Sequence, residues 1–133
     1  MKTFENNGKI IAILYRDEDW PDGLNFFTPP DLNIQVSTWK YNKDKKIVSH
    51  VHKINPRNVD RTHEVTYVKD GRMKVLLYDE NKKFLEDFIV SKGDTVVYAN
   101  GGHGYEILAD NTQVIEIKNG PFVDVSTDKE KIE

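Results

Sequence analysis

Short runs of apolar, β-branched and aromatic residues alternate with polar turn residues along most of the chain. The Val, Ile, Tyr, Phe and Thr side chains in these runs favour strands, and Gly, Asn and Asp mark the turns between them. The pattern predicts nine strands, over residues 9–15, 33–41, 47–51, 64–68, 72–78, 84–90, 95–98, 105–108 and 113–118. No helical periodicity intervenes, so the sequence predicts an all-β sandwich or barrel.

Two long connections interrupt this series of strands. Residues 16–32 contain Trp20, Phe26 and Phe27, and residues 53–63 contain Arg57 and Arg61. Connections of this length in a compact domain are usually functional or disordered. We expect the first to pack on the barrel or on a partner subunit, or to cover its own core as a surface loop. The predicted organisation is an N-terminal strand and aromatic loop at 1–32, a barrel at 33–125 and a charged tail at 126–133.

Length and composition narrow the class of protein. The chain has 133 residues, a net charge of −3 and no cysteine, which suits one domain without disulfides or sulfur-based zinc sites. No basic face is evident, so we expect no nucleic-acid partner. The longest apolar run, residues 10–14, is too short to span a bilayer. These features predict a soluble cytoplasmic protein that makes no membrane contact.

Two histidines stand two positions apart in a strand-like run. His50 and His52 would project from the same face of a strand, because side chains alternate between faces. Glu64 and His103 occur further along the chain. Three imidazoles and one carboxylate gathered in a sheet would suit a first-row divalent ion.

The spacing of these residues resembles the two conserved motifs of the cupin superfamily. Asp44 stands at the position of the first glycine, with five residues between it and His50, and six residues separate Glu64 from Gly71. Eleven residues separate His52 from Glu64, a longer gap than cupins usually have. The second motif is similar to residues 93–103, which run from Gly-Asp through an apolar strand and a small turn to His103, with Ala99 replacing the usual proline.

The resemblance implies a single-domain cupin, a double-stranded β-helix or jelly-roll barrel. It also implies a divalent transition metal (Mn, Fe, Ni, Co or Zn) with His50, His52, Glu64 and His103 as ligands. His63 replaces Glu64 if the long gap shifts the strand register by one residue; otherwise we expect His63 to be a surface or loop-anchoring side chain. Strand parity puts Thr66 and Val68 on the same face as Glu64.

Further site residues are predicted around this set. Tyr98 and Tyr105 flank His103 and could serve as acid or base. Arg57 and Arg61 could clamp a phosphate or carboxylate of a small-molecule ligand. Gln35 is a candidate for substrate binding from strand 33–41.

The expected function is that of a metal-dependent isomerase or epimerase. The substrate area is carbohydrate, because residues 114–122 are similar to the closing segment of small cupins associated with sugar and nucleotide-sugar metabolism. The same residues also suit a metal-free epimerase or ketoisomerase, in which His50 or His52 pairs with Glu64 or Asp60 as base. An iron-dependent dioxygenase and a non-catalytic ligand-binding cupin are further alternatives within the same resemblance. We expect a homodimer, with residues 9–15 as an edge strand free for exchange.

Overall fold

The computed structural model describes residues 1–132, and it has the all-β architecture that the sequence predicts. Its strands are β1 (Lys2–Asn6), β2 (Lys9–Tyr15), β3 (Gly23–Phe26), β4 (Ser37–Lys40), β5 (Glu64–Asp70), β6 (Arg72–Tyr78), β7 (Phe84–Ser91), β8 (Thr95–Tyr98), β9 (Gly102–Ile107) and β10 (Gln113–Lys118). A 3-10 turn covers Asp17–Asp19, and one short helix, α1, covers Val125–Asp128. Neither helical segment in the described part of the chain is long and apolar enough to cross a bilayer.

Three antiparallel sheets make up the fold. The largest has the strand order β1-β2-β8-β5-β10, the second has the order β7-β6-β9, and β3 pairs with β4 in a separate ribbon. From β5 onwards the chain crosses repeatedly between the two larger sheets. Strands β5, β8 and β10 belong to the five-stranded sheet, and β6, β7 and β9 belong to the three-stranded sheet.

The two faces of the five-stranded sheet carry separate apolar clusters. Alternate residues of β2, β5 and β8, among them Leu14, Val68 and Val96, pack against the buried side chains of β6 and β7. The residues between them, among them Ile13 and Val97, pack on the opposite face against Phe27, Leu32, Ile34 and Val36. The alternation predicted from the sequence therefore buries both faces of the central strands.

The structure adds two strands that the hydrophobic pattern does not show. β1 contains only one buried residue, Phe4, so its pattern is weak. It folds back on β2 through Asn7 and Gly8, whose φ angles of 51° and 75° belong to a tight hairpin turn. β1 rather than residues 9–15 therefore forms the edge of the sheet, and β2 is enclosed on both sides. β3, inside the predicted 16–32 loop, pairs with a shortened β4.

The strand predicted over residues 47–51 does not form. Residues 41–63 contain no strand, and every residue from 41 to 62 is exposed. The apolar side chains of this segment, including Val48, Val51 and Ile54, face solvent. A strand needs a neighbour to accept and donate its backbone hydrogen bonds, and this segment pairs with none of the described strands.

Candidate functional site

A cluster of polar and aromatic side chains lies on the inner faces of the two larger sheets. Glu64 begins β5 and is directly opposite Tyr98 at the end of β8. His103 and Tyr105 lie on β9, opposite Leu77 and Val75 of β6, two residues of the apolar core between the sheets. These side chains point inwards, because side chains alternate between the two faces of a strand. The four residues from three strands, Glu64, Tyr98, His103 and Tyr105, therefore meet at one end of the core.

Glu64 is the centre of this cluster. Its Oε2 atom lies 3.3 Å from Nε2 of His103, and its Oε1 atom accepts a hydrogen bond of 2.7 Å from the Tyr105 hydroxyl. The ring of Tyr98 packs against the ring of His103 with centroids 4.3 Å apart. The hydroxyl groups of Tyr98 and Thr66 lie 3.1 Å apart, which fixes the Tyr98 ring in turn.

Glu64 is ionised although only 4% of its surface is exposed. Burial acts to raise the pKa of its carboxyl and is the largest single influence. The hydrogen bonds from His103 and Tyr105, with the charges of His103 and Lys118, outweigh burial and lower the pKa to about 2. The group is therefore a carboxylate at neutral pH, able to orient an imidazole or to bind a cation.

The two tyrosines remain protonated. Burial is the main cause that raises the pKa of Tyr98 and of Tyr105 above the ordinary phenol value. The neighbouring carboxylate of Glu64 raises both further, because it disfavours a second negative charge nearby. Both phenols are therefore hydrogen-bond donors at neutral pH, and neither is a base.

The cluster is reachable from solvent along the free edges of the two sheets. Among the described strands, β9 pairs only with β6, and β10 pairs only with β5. The His103 side chain is 25% exposed, and Glu116 and Lys118 on β10 share the inner face with Thr66 and Glu64 through their pairing. The free edges of β9 and β10 are therefore the candidate route from solvent to Glu64.

The sequence-predicted metal ligands fall into two separate pairs. Glu64 and His103 are in contact, whereas His50 and His52 stand on the exposed segment 41–62, with their rings 5.2 Å apart. His50 Nδ1 lies 2.9 Å from the carbonyl oxygen of Val48. Within residues 1–132, no three His, Asp or Glu side chains are grouped closely enough to hold a metal ion. In this conformation the four residues therefore do not form one metal site.

Glu64 and His63, the two alternatives for the carboxylate position of the motif, have different surroundings. Glu64 is in the cluster, whereas His63 is buried with its backbone N–H donating to Oδ1 of Asn119 over 2.6 Å. Nδ1 of His63 has no hydrogen-bond partner among the described residues. Burial, followed by the charge of Arg61, lowers the pKa of His63. The sequence predicts a surface or loop-anchoring side chain at this position, and the burial of His63 corrects the first part of that prediction.

The predicted ligand-binding residues lie elsewhere on the molecule. Arg57 is exposed on the segment 41–62. Arg61 donates to Oε1 of Glu80 over 3.3 Å and to Oδ1 of Asn100 over 2.6 Å. Gln35 donates to the carbonyl oxygens of Pro29 and Leu32, at 2.8 and 2.9 Å, and so ties down its own loop. None of the three makes a hydrogen bond to the Glu64 cluster, and their role in binding stays a prediction.

The Gly-Asp pair of the second motif has a structural role. The buried Asp94 carboxylate accepts hydrogen bonds from the backbone N–H groups of Asp17 and Ser91, at 3.0 and 2.9 Å. It also pairs with the Arg16 guanidinium at 2.8 Å. Asp94 therefore joins the turn before β8 to the segment that follows β2.

Lys118 is a site residue that the sequence interpretation did not include. Its charge helps to lower the pKa of Glu64, and its Nζ atom lies 3.0 Å from Glu116. The signal for it in the sequence was the alternation of Val114, Glu116 and Lys118 along the last strand, which puts two charged residues on the inner face.

A comparison of the chain with models of known families, with curated proteins and with solved structures found no match. The functional proposal therefore rests on the geometry of the cluster.

Proposed function

We propose that the chain is a cupin-type jelly-roll barrel that transfers protons on a small hydroxylated carbonyl compound, of the sugar or sugar-nucleotide class. The barrel is supported by the six strands from β5 to β10, along which the chain passes four times between the two larger antiparallel sheets, as in Greek-key jelly rolls. In such a barrel the space between β9 and β10 is the ligand site, and the reaction is an isomerisation or epimerisation.

The observation that carries the proposal is the contact of His103 with the buried carboxylate of Glu64. When Nε2 of His103 carries the proton and faces Glu64, Nδ1 keeps its lone pair and can accept a proton from a carbon next to a carbonyl. The Glu64 carboxylate then stabilises the imidazolium that forms. In this metal-free reaction His103, rather than His50 or His52, is the base.

The tyrosines supply the complementary function. Tyr105 and Tyr98 are both protonated and lie against the His103 ring, with ring centroids 5.4 and 4.3 Å from it. A phenol that exchanged its present partner, Glu64 for Tyr105 or Thr66 for Tyr98, for the substrate could donate a hydrogen bond to the carbonyl or return a proton to the carbon. Thr66, Glu116 and Lys118 provide polar contacts along the same space for hydroxyl or phosphate groups.

A metal-dependent reaction is the second candidate. It is favoured by the chemistry of the donor set: Glu64 is ionised, His103 is adjacent, and His50 and His52 are already close to each other. For all four to bind one ion, the exposed segment that carries His50 and His52 would have to fold towards the free edge of β9. A bound ion would polarise a carbonyl or hydroxyl group, and the dioxygenase and simple ligand-binding functions belong to the same candidate site.

One experiment distinguishes these functions. Untagged protein is incubated in D₂O with keto-sugars and keto-sugar nucleotides, and deuterium incorporation next to the carbonyl is followed by NMR. The variants are His103→Asn and Glu64→Gln, with His50→Ala/His52→Ala as the matched histidine control. Loss of the general base should slow exchange by roughly 100-fold or more, while the double variant should keep the wild-type rate.

The remaining results of the same experiment each favour or oppose one function. The metal-dependent function is supported if His50→Ala/His52→Ala also abolishes exchange and if elemental analysis shows that this variant has lost Mn, Fe, Ni, Co or Zn. Equal metal content in wild type and double variant counts against it. Exchange that is unaffected by His103→Asn, or absent with every substrate in the panel, contradicts proton-transfer catalysis at this site.

A further inference from the structure

The ribbon of β3 and β4 exposes an apolar face to solvent. Leu24 is paired with Trp39 and Phe26 with Ser37, so these side chains share one side of the ribbon. Tyr41 follows on the same side and contacts Trp39, with ring centroids 6.4 Å apart. Leu24, Phe26, Trp39 and Tyr41 are each between 40% and 60% exposed. We refer to these four residues as the aromatic face.

The opposite side of the ribbon, which faces the protein, is polar. Thr38 is buried, and its Oγ1 lies 3.5 Å from the Tyr15 hydroxyl. Asn25 donates its Nδ2–H to the same hydroxyl over 3.3 Å. An isolated surface ribbon is expected to turn its apolar side inwards and its polar side to water. This ribbon does the reverse, although turning it over would bury two aromatic rings and a leucine.

Such an inversion marks an interaction surface, because a contiguous exposed apolar patch is uncommon on a monomer. Charged residues make up 31% of the chain, and other large apolar side chains, among them Val51, Ile54 and Phe122, are exposed as well. The aromatic face is also rich in Trp, Tyr and Phe, the residue types that are enriched in the centre of protein interfaces.

We propose that the aromatic face is the interface between two copies of this chain, related by a twofold axis. The four side chains expose on the order of 300–400 Å² of apolar surface, if each is about half exposed. A stable dimer buries about 800 Å² on each partner, of which about two thirds is apolar in a homodimer. The aromatic face therefore supplies more than half of the apolar area that such an interface buries, and the residues around it supply the remaining apolar area and the polar rim.

The charges beside the aromatic face are self-complementary. Asp22 and Lys40 lie at the same end of the ribbon, with the carboxylate and the ammonium 3.1 Å apart and both largely exposed. In a twofold interface every contact is made twice, so a contact of Lys40 with Asp22 of the partner subunit is matched by the reverse contact. Lys40 can therefore pair with Asp22 of the partner subunit, without any second type of protein to supply the complementary charge.

Two hollows adjoin the ribbon. One, of about 510 Å³, lies between Phe26 and the protein-facing side of the ribbon, where it is lined by Tyr15 and Asn25 among others. The second, of about 350 Å³, is lined by Asp22, Lys40 and Tyr41 among others. An exposed ring that inserts into a neighbouring hollow loses its water contact completely, which is how dominant interface residues act.

Sedimentation velocity over a range of protein concentrations, about 1–100 µM, tests the proposal directly. The wild type should be a dimer, and Trp39→Lys should raise the dimer dissociation constant at least roughly 30-fold, the effect of removing a dominant interface side chain. The matched control is Ile115→Lys, which replaces a residue of similar exposure, 52%, on the outer face of β10 and should leave the dimer intact.

Tryptophan fluorescence provides a second measurement that needs no destabilising variant. The chain has two tryptophans, so Trp20→Phe leaves Trp39 as the single emitter. Its emission should move to shorter wavelength as the concentration rises through the dissociation constant, because the ring leaves water. The proposal is overturned if the wild type is a monomer at 100 µM, if the dimer resists Trp39→Lys, or if both lysine variants dissociate equally. It is also overturned if the protein is dimeric but the emission of Trp39 does not depend on concentration.

Discussion

Glu64 keeps a negative charge where very little of its surface reaches water, and three neighbours make this possible. His103 and Tyr105 hydrogen-bond its two oxygens, and the charge of Lys118 is close enough to lower its pKa. A buried carboxylate with such partners stabilises the folded state only while it is ionised. The same group that gives the site its chemistry is therefore coupled to the stability of the protein.

Replacing Glu64 with Gln should reduce stability in a pH-dependent manner. The folded-state pKa of about 2 lies below the ordinary value of 4.5, so the carboxylate contributes stability above pH 4.5 and loses it as the pH falls towards 2. We expect Glu64→Gln to lower the free energy of unfolding by about 2 kcal/mol at pH 7, the usual scale for a hydrogen bond to a charged group. The difference from wild type should shrink as the pH falls below 4.5 and should be smaller at pH 3 than at pH 7.

Urea unfolding at pH 7 and pH 3, with a chelator present, measures this difference. Glu116→Gln is the control, because this carboxylate is on the same inner face but is 44% exposed. A difference between Glu64→Gln and wild type that is the same at both pH values would show that the charge of Glu64 does not stabilise the fold.

Among the elements, the tight turn between β5 and β6 is closely constrained by its surroundings. Gly71 has a φ angle of +89°, a conformation that residues with a side chain rarely adopt. A Cβ atom there would overlap the side chain of Thr112 and would lie 2.7 Å from its Cα atom. The glycine that closes the first motif thus has a packing role: it lets the segment between β9 and β10 approach the turn.

Gly71→Ala should destabilise the protein by about 3 kcal/mol, because backbone strain and steric overlap add together. Gly8→Ala is a matched control: Gly8 also has a positive φ, of +75°, but no atom outside its own neighbours lies within 4 Å of a Cβ there. That variant should lose only about 1 kcal/mol. Chemical denaturation of both variants compares them, and equal losses would refute the close packing of Thr112 on the turn.

At the scale of the whole molecule, the structure divides into packed sheets and one exposed segment. Residues 41–62 have neither a strand nor a helix and carry Lys43, Lys45, Lys46, Lys53 and Arg57. The adjacent residues Lys82 and Lys83 are also exposed. Their turn is restrained, because the Asp79 side chain accepts hydrogen bonds from the backbone N–H groups of Asn81 and Lys83. The backbone of residues 41–62 is therefore less restrained than the turn at residues 79–83.

Limited trypsin digestion should cut first within residues 43–57, because proteolysis selects exposed backbone without tertiary hydrogen bonds. Mass spectrometry of the early fragments identifies the site, and a first cut at Lys82 or Lys83 would contradict the expectation. If His50 and His52 close on Glu64 and His103 around an ion, added Mn, Ni or Zn should slow this cut in wild type. The same addition should have no effect on the His50→Ala/His52→Ala variant.

The sequence alone determined the strands whose own residues alternate and whose ends carry turn residues. The all-β architecture and the positions of β5 to β8 follow from that local pattern, because alternation reflects which side chains a strand must bury. The pairing of Glu64 with His103 could also be expected, since both belong to the motifs that resemble those of cupins. The hairpin from β1 to β2 was within reach as well, through Asn7 and Gly8.

Only the tertiary structure decided what covers each face and edge. It enclosed β2, left residues 47–51 without a neighbour, and separated His50 and His52 from the carboxylate expected to join them. It also turned the apolar side of β3 and β4 outwards. The physical reason is the same in each case: alternation shows that a strand has an apolar side, but burial of that side depends on contacts with residues distant in the chain.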